Sequence, residues 1–326
     1  MPSFSKESLD IDVACEIETV AKAIVDFVHQ YRRKGVVVAT SGGIDSSVCA
    51  ALCVRALGPE RVLLLSLPEA SSSEVSRGDA TALATVFGAD LLVDDITAAL
   101  DGAGCYERQI DAIRQVVPEY GAEWKHKLTI PSLLDGDRLS ITRLNVEDPT
   151  GAQQVYRMPV AAYLQLVAAT NFKQRTRTMM SYYHADRLHY AVCGTPNRLE
   201  YDQGFFVKGG DGLADFKPIA HLYKTQVFAV AAALGVPQSI LDRTPTTDTF
   251  SLEQTQEEFY FALPYREMDL CLYAHNHSVP AAETAEVLGL SEEQVSRIFA
   301  DIEAKRRGTA GLHLHGLLVA PVPEVG

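Results

Sequence analysis

The apolar residues of the first two hundred positions follow two alternating patterns. Residues 15–31 carry apolar side chains at helical spacing, which predicts an amphipathic helix. Residues 36–40 and 61–67 are short, continuous apolar runs of the kind found in strands that are covered on both faces. The same patterns predict helices at 46–57 and 81–87, and strands at 91–96 and 190–193.

This alternation of strand and helix predicts the fold class. Right-handed crossovers between parallel strands give an α/β fold with a doubly wound, Rossmann-like parallel sheet. Ligands of such sheets bind beyond the carboxyl ends of the strands. Because no internal repeat or linker marks a boundary, residues 1–326 are expected to form a single domain.

Residues 102–166 depart from the alternation. They combine turn signals at 135–137 and 148–151 with a short alternating run at 139–142, which predicts an insertion containing a hairpin, followed by a helix from about residue 160. From about residue 237 the pattern is mostly helical. The helices predicted there lie at 252–261, 265–274, 281–288 and 291–305.

Composition narrows the range of partners. The 326 residues are 47% hydrophobic and 22% charged, which is ordinary for a globular protein, and the net charge of −13 disfavours nucleic acid and anionic membranes as partners. The N-terminus lacks a secretory pattern, and no run reaches the ~18 apolar residues of a bilayer span. Six cysteines without a CxxC pair are expected to be small buried thiols. We therefore expect a soluble, cytoplasmic protein.

A loop rich in glycine and serine joins the first predicted strand to the next helix. Its residues are Ser41, Gly42, Gly43, Ile44, Asp45, Ser46 and Ser47. Adjacent glycines, serine hydroxyls and the free N–H groups of a helix N-terminus together form a cradle for an anion. A lone carboxylate would repel phosphate, so Asp45 indicates a Mg²⁺ ion that bridges the two. From spacing alone, a Gly-Gly turn capped by serines remains an alternative.

Residues 171–224 form a basic island in an acidic chain. They contain eight Lys or Arg against five Asp or Glu, so the island carries +3 although the whole chain carries −13. Such an island suits a small polyanionic ligand better than a long polymer. Solvated helix faces and loops are the alternative on charge alone.

The loop and several later motifs resemble a known family. SGGxDSS resembles the signature of the ATP pyrophosphatase (PP-loop) superfamily, whose members cleave ATP between the α and β phosphates. The later motifs resemble the ammonia-dependent NAD synthase family. They are NFKQRTR at 171–177, GTPNRLE at 194–200, KGGDGLAD at 208–215, LYKTQV at 222–227, and Pro245-Thr246 followed by Thr247 and Asp248.

The resemblance implies a role for each matched residue. Asp45 and Glu200 would bind Mg²⁺, and Asp45 and Lys224 would act in catalysis. The residues implied to bind ATP are Ser41 to Ser47 of the loop, Thr195, Lys224 and Thr246. The residues implied to bind the second substrate are Arg175, Arg177, Lys208, Asp211, Asp215 and Lys305.

The reaction that the resemblance implies has two steps. The nicotinate carboxylate of deamido-NAD attacks the α-phosphate of ATP, giving an acyl-adenylate and pyrophosphate, and ammonia then displaces AMP to form the amide of NAD. The alternative is a paralogue that uses the same adenylation chemistry on a different carboxylate. The family resemblance also implies a homodimer, with residues 160–170 and 219–235 as candidate contacts.

Two departures from the family pattern concern the second substrate. Ala304-Lys305-Arg306 stands where the family has His-Lys-Arg, and residues 308–318 replace a proline-rich tail, where His313 and His315 could compensate. The insertion lies just before the Arg175 motif and could reshape the pocket. The chain leaves no room for a glutaminase domain, so ammonia would be free or supplied by a separate glutaminase.

Overall fold

A computed structural model describes residues 4–121, 123–134, 142–246 and 249–323. Its strands are β1 (Val36–Ala39), β2 (Val62–Ser66), β3 (Asp90–Val93), β4 (Lys125–Thr129), β5 (Arg143–Glu147), β6 (Gln153–Arg157) and β7 (Ala191–Cys193). Four of them form a parallel sheet in the order β3-β2-β1-β7, and the other three form an antiparallel sheet in the order β4-β5-β6. The predicted α/β fold with a parallel sheet is confirmed.

The helices flank the parallel sheet and continue beyond it. They are α1 (Val13–Gln30), α2 (Ile44–Leu57), α3 (Glu74–Phe87), α4 (Thr97–Gly102), α5 (Cys105–Arg114), α6 (Val160–Leu188), α7 (Arg198–Gln203), α8 (Lys224–Leu234), α9 (Gln238–Leu241), α10 (Tyr265–Asn276), α11 (Ala281–Leu288) and α12 (Glu292–Thr309). Among the described residues, none of these helices combines the length and the apolar character needed to cross a membrane.

Both faces of the parallel sheet are buried, which explains the continuous apolar runs. Val36 and Val38 of β1 pack in one cluster with α1, α2 and α8, whereas Val37 points to the other face and packs in a cluster with Leu100 and Ala185. Alternate residues of a strand face opposite sides, so a strand covered on both sides must be apolar throughout. The first predicted strands and helices are confirmed with ends that differ by up to three residues, except that the helix predicted at 81–87 begins seven residues earlier, at Glu74.

The insertion contains the predicted hairpin. Strands β5 and β6 pair through the turn at 148–152, where Asp148 accepts hydrogen bonds from the backbone N–H groups of Thr150 and Ala152. The helix predicted from about residue 160 is α6, which begins at Val160. The predicted turn at 135–137, and the run at 139–142 except for Thr142, lie outside the described residues.

One helix predicted after residue 237 is wrong. Residues 252–261 were expected to be helical, but only the short π-helix Glu257–Phe261 forms there. Residues 251–254 instead lie along β4, where the Leu252 N–H donates to the His126 carbonyl (3.1 Å). Pairing with a distant strand outweighs a local helical spacing that spans fewer than three turns.

The cysteines are free thiols, as predicted. Five of them are buried, as expected, but the prediction of burial is wrong for Cys15, which is exposed on α1. Cys53 and Cys193 approach each other from α2 and β7, with Sγ atoms 4.0 Å apart. These two side chains pack in the same apolar cluster, which accounts for them as small core residues.

Candidate active site

The glycine-serine loop lies at the carboxyl end of β1, where the backbone turns sharply into α2. Gly42 has a φ of +76°, and a Cβ built on it would lie 2.7 Å from the carbonyl oxygen of Ser76. Only glycine suits both the positive φ and the close approach. Gly43 is the N-cap of α2 and offers no side chain to cap it, so the N–H groups of the first turn point into the loop. This geometry is that of an anion site at a helix N-terminus.

The serine hydroxyls stabilise the turn. Ser46 and Ser47 each donate from Oγ to the Gly43 carbonyl, at 3.0 and 2.9 Å. Ser41 accepts at Oγ from the Gly43 N–H (3.3 Å) and donates its own N–H to Ser46 Oγ (3.4 Å). Three of the predicted loop residues therefore fix the backbone shape that the anion cradle requires.

Asp45 is the centre of a network of buried polar groups. Its Oδ2 forms an ion pair with Nζ of Lys224, whose side chain is fully buried, and its Oδ1 accepts from Asn197 Nδ2 (3.0 Å). Asn197 also caps α7, and Glu200 completes that capping box by accepting from the Asn197 N–H (3.1 Å). The cap of one short helix thus brings two acidic side chains to the phosphate loop.

Lys224 is held from its own backbone as well as by Asp45. It is the first residue of α8, and the carboxylate of Asp269 accepts from the N–H groups of Lys224 and Thr225, at 3.2 and 2.7 Å. Burial raises the pKa of Asp269 to about 6. The Lys224 ammonium also lies over the ring of Tyr265, 5.3 Å from its centroid.

The Asp45–Glu200 pair fits a magnesium ion. Burial and the neighbouring charge of Asp45 raise the pKa of Glu200 to about 8, which means that the two carboxylates repel each other. A divalent cation would relieve that repulsion, and Mg²⁺ is bound in proteins through one or two carboxylates together with phosphate oxygens and water. The donor set and its place at the anion cradle therefore suit this ion.

A cavity of about 740 Å³ opens from the loop and extends to the basic island. It is lined by predicted residues from both halves of the site: Ser41, Gly42, Gly43, Ile44, Asp45, Ser46, Thr195, Glu200, Thr246, Arg175, Arg177, Lys208, Asp211 and Lys305. Segments far apart in the sequence, which were assigned to ATP and to a second substrate, thus share one cavity. Thr247 and Asp248 lie outside the described residues.

Three predicted residues do not line the cavity. Ser47 and Lys224 lie behind it, where they support the loop and Asp45. Asp215 has a different neighbourhood, because its carboxylate accepts from the Val192 N–H (2.8 Å) and from the Tyr182 hydroxyl (3.2 Å). These contacts fix the end of β7 against α6.

The basic residues of the second half are supported by backbone contacts. Arg175 Nε donates to the Lys208 carbonyl (3.3 Å), and Arg177 Nε donates to the Leu67 carbonyl (3.2 Å). Asp211 accepts from the Val207 N–H (2.8 Å), and burial raises the pKa of its carboxyl group. The guanidinium groups are thereby held at the cavity, where they suit a phosphate or carboxylate ligand.

The end of α12 forms another part of this wall. Lys305 donates to the Tyr260 carbonyl (2.7 Å) and pairs with Asp301, and burial lowers the pKa of its ammonium group. Beyond α12, Leu312 lines the cavity, and the ring of His313 lies edge-on to Tyr201 at a centroid distance of 4.9 Å. The altered tail therefore reaches the second half of the site.

Two ion pairs were not predicted, one on the lining of the cavity and one buried beside lining residues. Arg243 lines it beside the loop and pairs with Asp79 of α3 (3.1 Å). Lys173 of α6 is buried and pairs with Glu69 (2.9 Å), which follows β2. Lys173 had been grouped with the basic island, but its fully buried partner lies 104 residues away, and only the folded chain brings the two together.

The comparison with known proteins agrees with the family that the sequence motifs resemble. A family model for NAD synthase matches residues 16–116 and 137–307. The chain belongs to the NAD synthase family. An NH3-dependent NAD+ synthetase of Rhizobium rhizogenes is 53% identical to it over 98% of this chain and 97% of that protein.

Solved structures share the NAD synthase fold. An NMN synthetase from Francisella tularensis superposes with a TM-score of 0.63 at 22% identity, covering 95% of this chain and 99% of that one. An NH3-dependent NAD synthetase from Campylobacter jejuni, determined with a nitrate ion, gives 0.63 at 21% identity, covering 95% and 100%. At these identities the likeness concerns the fold alone.

The family match also bears on the insertion. The family model leaves out residues 117–136, which lie inside the predicted insertion of 102–166 and contain β4. The Rhizobium relative aligns over nearly the whole chain, so its alignment spans this region. The extra residues are therefore a feature of this chain and of a close relative, beyond the common core of the NAD synthase family.

Proposed function

We propose that this protein is an ammonia-dependent NAD synthase, an ATP-dependent ligase that converts deamido-NAD to NAD. The observation that carries the proposal is the single cavity that joins the phosphate loop and its Asp45–Glu200 pair to Arg175 and Lys208. The name of the 53% identical relative supports it. The nicotinate carboxylate attacks the α-phosphate and releases pyrophosphate, and ammonia then displaces AMP.

In this proposal, the loop and its neighbours bind ATP. The N–H groups at the start of α2 and the turn fixed by Ser41 and Ser46 receive the phosphates. Thr195 and Thr246 line the same cavity and would contact the nucleotide. Lys224 acts from behind, where its ammonium orients Asp45 and offsets negative charge as pyrophosphate leaves.

Asp45 and Glu200 would hold Mg²⁺. The ion would supply charge neutralisation at the phosphates when it is bound there. The chain's own contribution is to keep the two carboxylates in place, through Asn197 on both and Lys224 on Asp45. Adenylation requires no covalent enzyme intermediate, so positioning by the protein acts together with charge neutralisation at the phosphates.

The basic half of the cavity would bind deamido-NAD. Arg175, Arg177 and Lys208 provide positive charge for its phosphates, and Lys305 and Asp211 lie on the same wall. Asp215, which also belongs to the family motif, contributes by holding β7 against α6. A different carboxylate substrate would use the same loop, and the assay described below distinguishes it from deamido-NAD.

The proposed setting is a cytoplasmic homodimer that uses free ammonia or ammonia from a separate glutaminase. The buried free thiols of Cys53 and Cys193 suit a reducing compartment. For the dimer, α8 is a poor candidate because Val227 and Val230 pack in the core. Helix α6 is the better one, since Leu164 and Met179 are both 58% exposed.

The test is an assay with Mg-ATP, ammonium and deamido-NAD that follows both AMP and NAD. We expect AMP and NAD in equal amounts. Formation of AMP without NAD would refute deamido-NAD as the substrate. Asp45→Ala and Glu200→Ala should each abolish pyrophosphate release, because each removes one of the two carboxylates that would hold the ion at the phosphates. Undiminished release by either variant would contradict the metal assignment, whichever carboxylate is the substrate.

A further inference from the structure

Strand β4 of the insertion has two paired edges. One edge pairs with β5, and the other follows residues 251–258 of the C-terminal part. The His126 N–H donates to Ser251 Oγ (2.9 Å), the Leu252 N–H donates to the His126 carbonyl (3.1 Å), and the Ile130 N–H donates to the Glu258 carbonyl (3.0 Å). Residues 251–258, called the braced segment below, are thus attached to a strand that the family model does not cover.

Side chains strengthen this attachment. The buried amide of Gln254 donates to the Leu128 carbonyl. Lys127 Nζ forms an ion pair with Glu258 (3.2 Å) and donates to the Glu253 carbonyl (3.1 Å). An unpaired backbone group at a buried strand edge is costly, so these contacts favour one fixed position of the braced segment.

The braced segment in turn supports the active site. Gln256 Nε2 donates to Glu200 Oε1 (3.2 Å), and the Gln256 N–H donates to the Pro245 carbonyl (3.3 Å). Thr255 forms an antiparallel β-bridge with Thr246, which lines the cavity. A carboxylate assigned to the metal and a threonine assigned to ATP are therefore both held from this segment.

We propose that β4 is a positioning element that holds the braced segment in its nucleotide-binding arrangement before ATP binds. The inference rests on the proposed function for the roles of Glu200 and Thr246. It assigns Lys127 and Gln254 as positioning residues that act through Gln256 and Thr246 and do not touch the substrate. If the braced segment is already ordered in the free protein, none of the binding energy of ATP is spent on ordering it, and ATP binds more tightly.

Backbone hydrogen exchange in the nucleotide-free protein tests the arrangement directly. We expect the N–H groups of Leu252 and Ile130 to be protected without ATP. Lys127→Glu and Glu258→Lys should each speed their exchange by roughly twofold to fivefold, as expected for a partly exposed ion pair. The double variant Lys127→Glu/Glu258→Lys should recover the part of the protection that this ion pair supplies, whereas the hydrogen bond from Lys127 to the Glu253 carbonyl stays lost.

These variants separate local pairing from long-range charge. The two single substitutions change the net charge in opposite directions, so a charge effect would move the rates in opposite directions. Lys125→Glu is the matched control, because Lys125 lies on the same strand but pairs with Glu147 of β5 (3.3 Å). It should leave the exchange of Leu252 unchanged.

Direct binding of Mg-ATP, measured by calorimetry, tests the consequence without any second substrate. Gln254→Leu should weaken binding by roughly tenfold, since it leaves the Leu128 carbonyl unpaired and loosens the segment. The KM for deamido-NAD should not change. Free exchange of the Leu252 N–H in the wild-type protein, or unchanged Mg-ATP affinity in Gln254→Leu, would overturn the inference even if the enzyme makes NAD.

Discussion

Gly42 shows how a single residue sets the shape of the site. Its φ of +76° and its closeness to the Ser76 carbonyl allow the loop to turn beside α3. Hydrogen bonds between its neighbours then fix the turn, because the Gly43 N–H donates to Ser41 Oγ and Ser46 Oγ donates to the Gly43 carbonyl. The chemistry of the loop therefore depends on a position that carries no side chain.

We expect Gly42→Ala to weaken Mg-ATP binding by roughly tenfold or more and to destabilise the fold by about 1–3 kcal/mol, because the new Cβ is strained and crowded. Calorimetry and thermal unfolding would measure both effects. Gly78→Ala is the control, because Gly78 lies within α3 with nothing within 4 Å of the added Cβ. That variant should gain about 0.5–1 kcal/mol of stability. Equal binding by the two variants would contradict the prediction.

At the scale of elements, the parallel sheet was predictable and the braced segment was not. Continuous runs such as 36–40 identify a strand because both of its faces are buried, and that information is local. The extended path of residues 251–254 depends on β4, which lies more than a hundred residues earlier. Local spacing could not reveal that partner, so a helix was expected there.

The residues of the site likewise divide into those that could be predicted from the sequence and those that could not. The loop at 41–47 could be predicted because its chemistry is carried by neighbouring residues, and the motifs around Arg175 and Glu200 were predicted from a family resemblance; residues of all three line one cavity. Arg243 and the Lys173–Glu69 pair were missed, since each depends on a contact between distant segments. Asp45 was predicted to bind a metal ion, but its ion pair with Lys224 could not be predicted, because only the folded chain brings the two residues together.

The junction between β4 and the braced segment contains a buried histidine that makes stability depend on pH. His126 Nδ1 forms a hydrogen bond with the Tyr120 hydroxyl (2.8 Å). Burial, together with the nearby positive charge of Lys173, lowers the pKa of His126 to about 3. In the unfolded chain His126 has an ordinary pKa of about 6.5 and takes up a proton below that pH, whereas in the folded protein it stays neutral there. Stability is therefore lost as the pH falls below about 6.5.

We expect His126→Gln to reduce this loss. Between about pH 7 and about pH 5.5, the wild-type protein should lose about 1 kcal/mol more of its free energy of unfolding than the variant does. Urea unfolding at the two pH values measures the difference, and all other titrating groups are common to both proteins. The same loss in both would show that His126 does not titrate on unfolding.

At the scale of the whole molecule, an acidic protein concentrates basic side chains at one cavity. The chain carries −13, yet Arg175, Arg177, Lys208, Arg243 and Lys305 all line the cavity. Such a distribution attracts anions to one place while the rest of the surface repels polyanions. It fits small phosphorylated substrates.

The proposed dimer is also a property of the whole molecule. Val160, Leu164, Met179 and Tyr183 leave exposed apolar groups along α6. We expect Leu164→Glu/Met179→Glu to convert a dimer to a monomer in light scattering, because two charges would be buried without partners. Val86→Glu, at a residue of α3 that is 56% exposed, should leave the mass unchanged. A monomeric wild-type protein would refute the dimer.

The Lys173–Glu69 pair constrains how this sequence can change. Lys173 Nζ also donates to the Thr249 carbonyl (3.0 Å), and the Tyr106 hydroxyl donates to Glu69 (2.9 Å), so one buried contact joins α5, α6, the end of β2 and the C-terminal part. Removing one charge leaves the other buried alone, at a cost of about 3–5 kcal/mol, whereas an uncharged pair of similar volume is tolerated. Substitutions here must arise together, and a mutational scan that varies single positions would misjudge both residues as immutable.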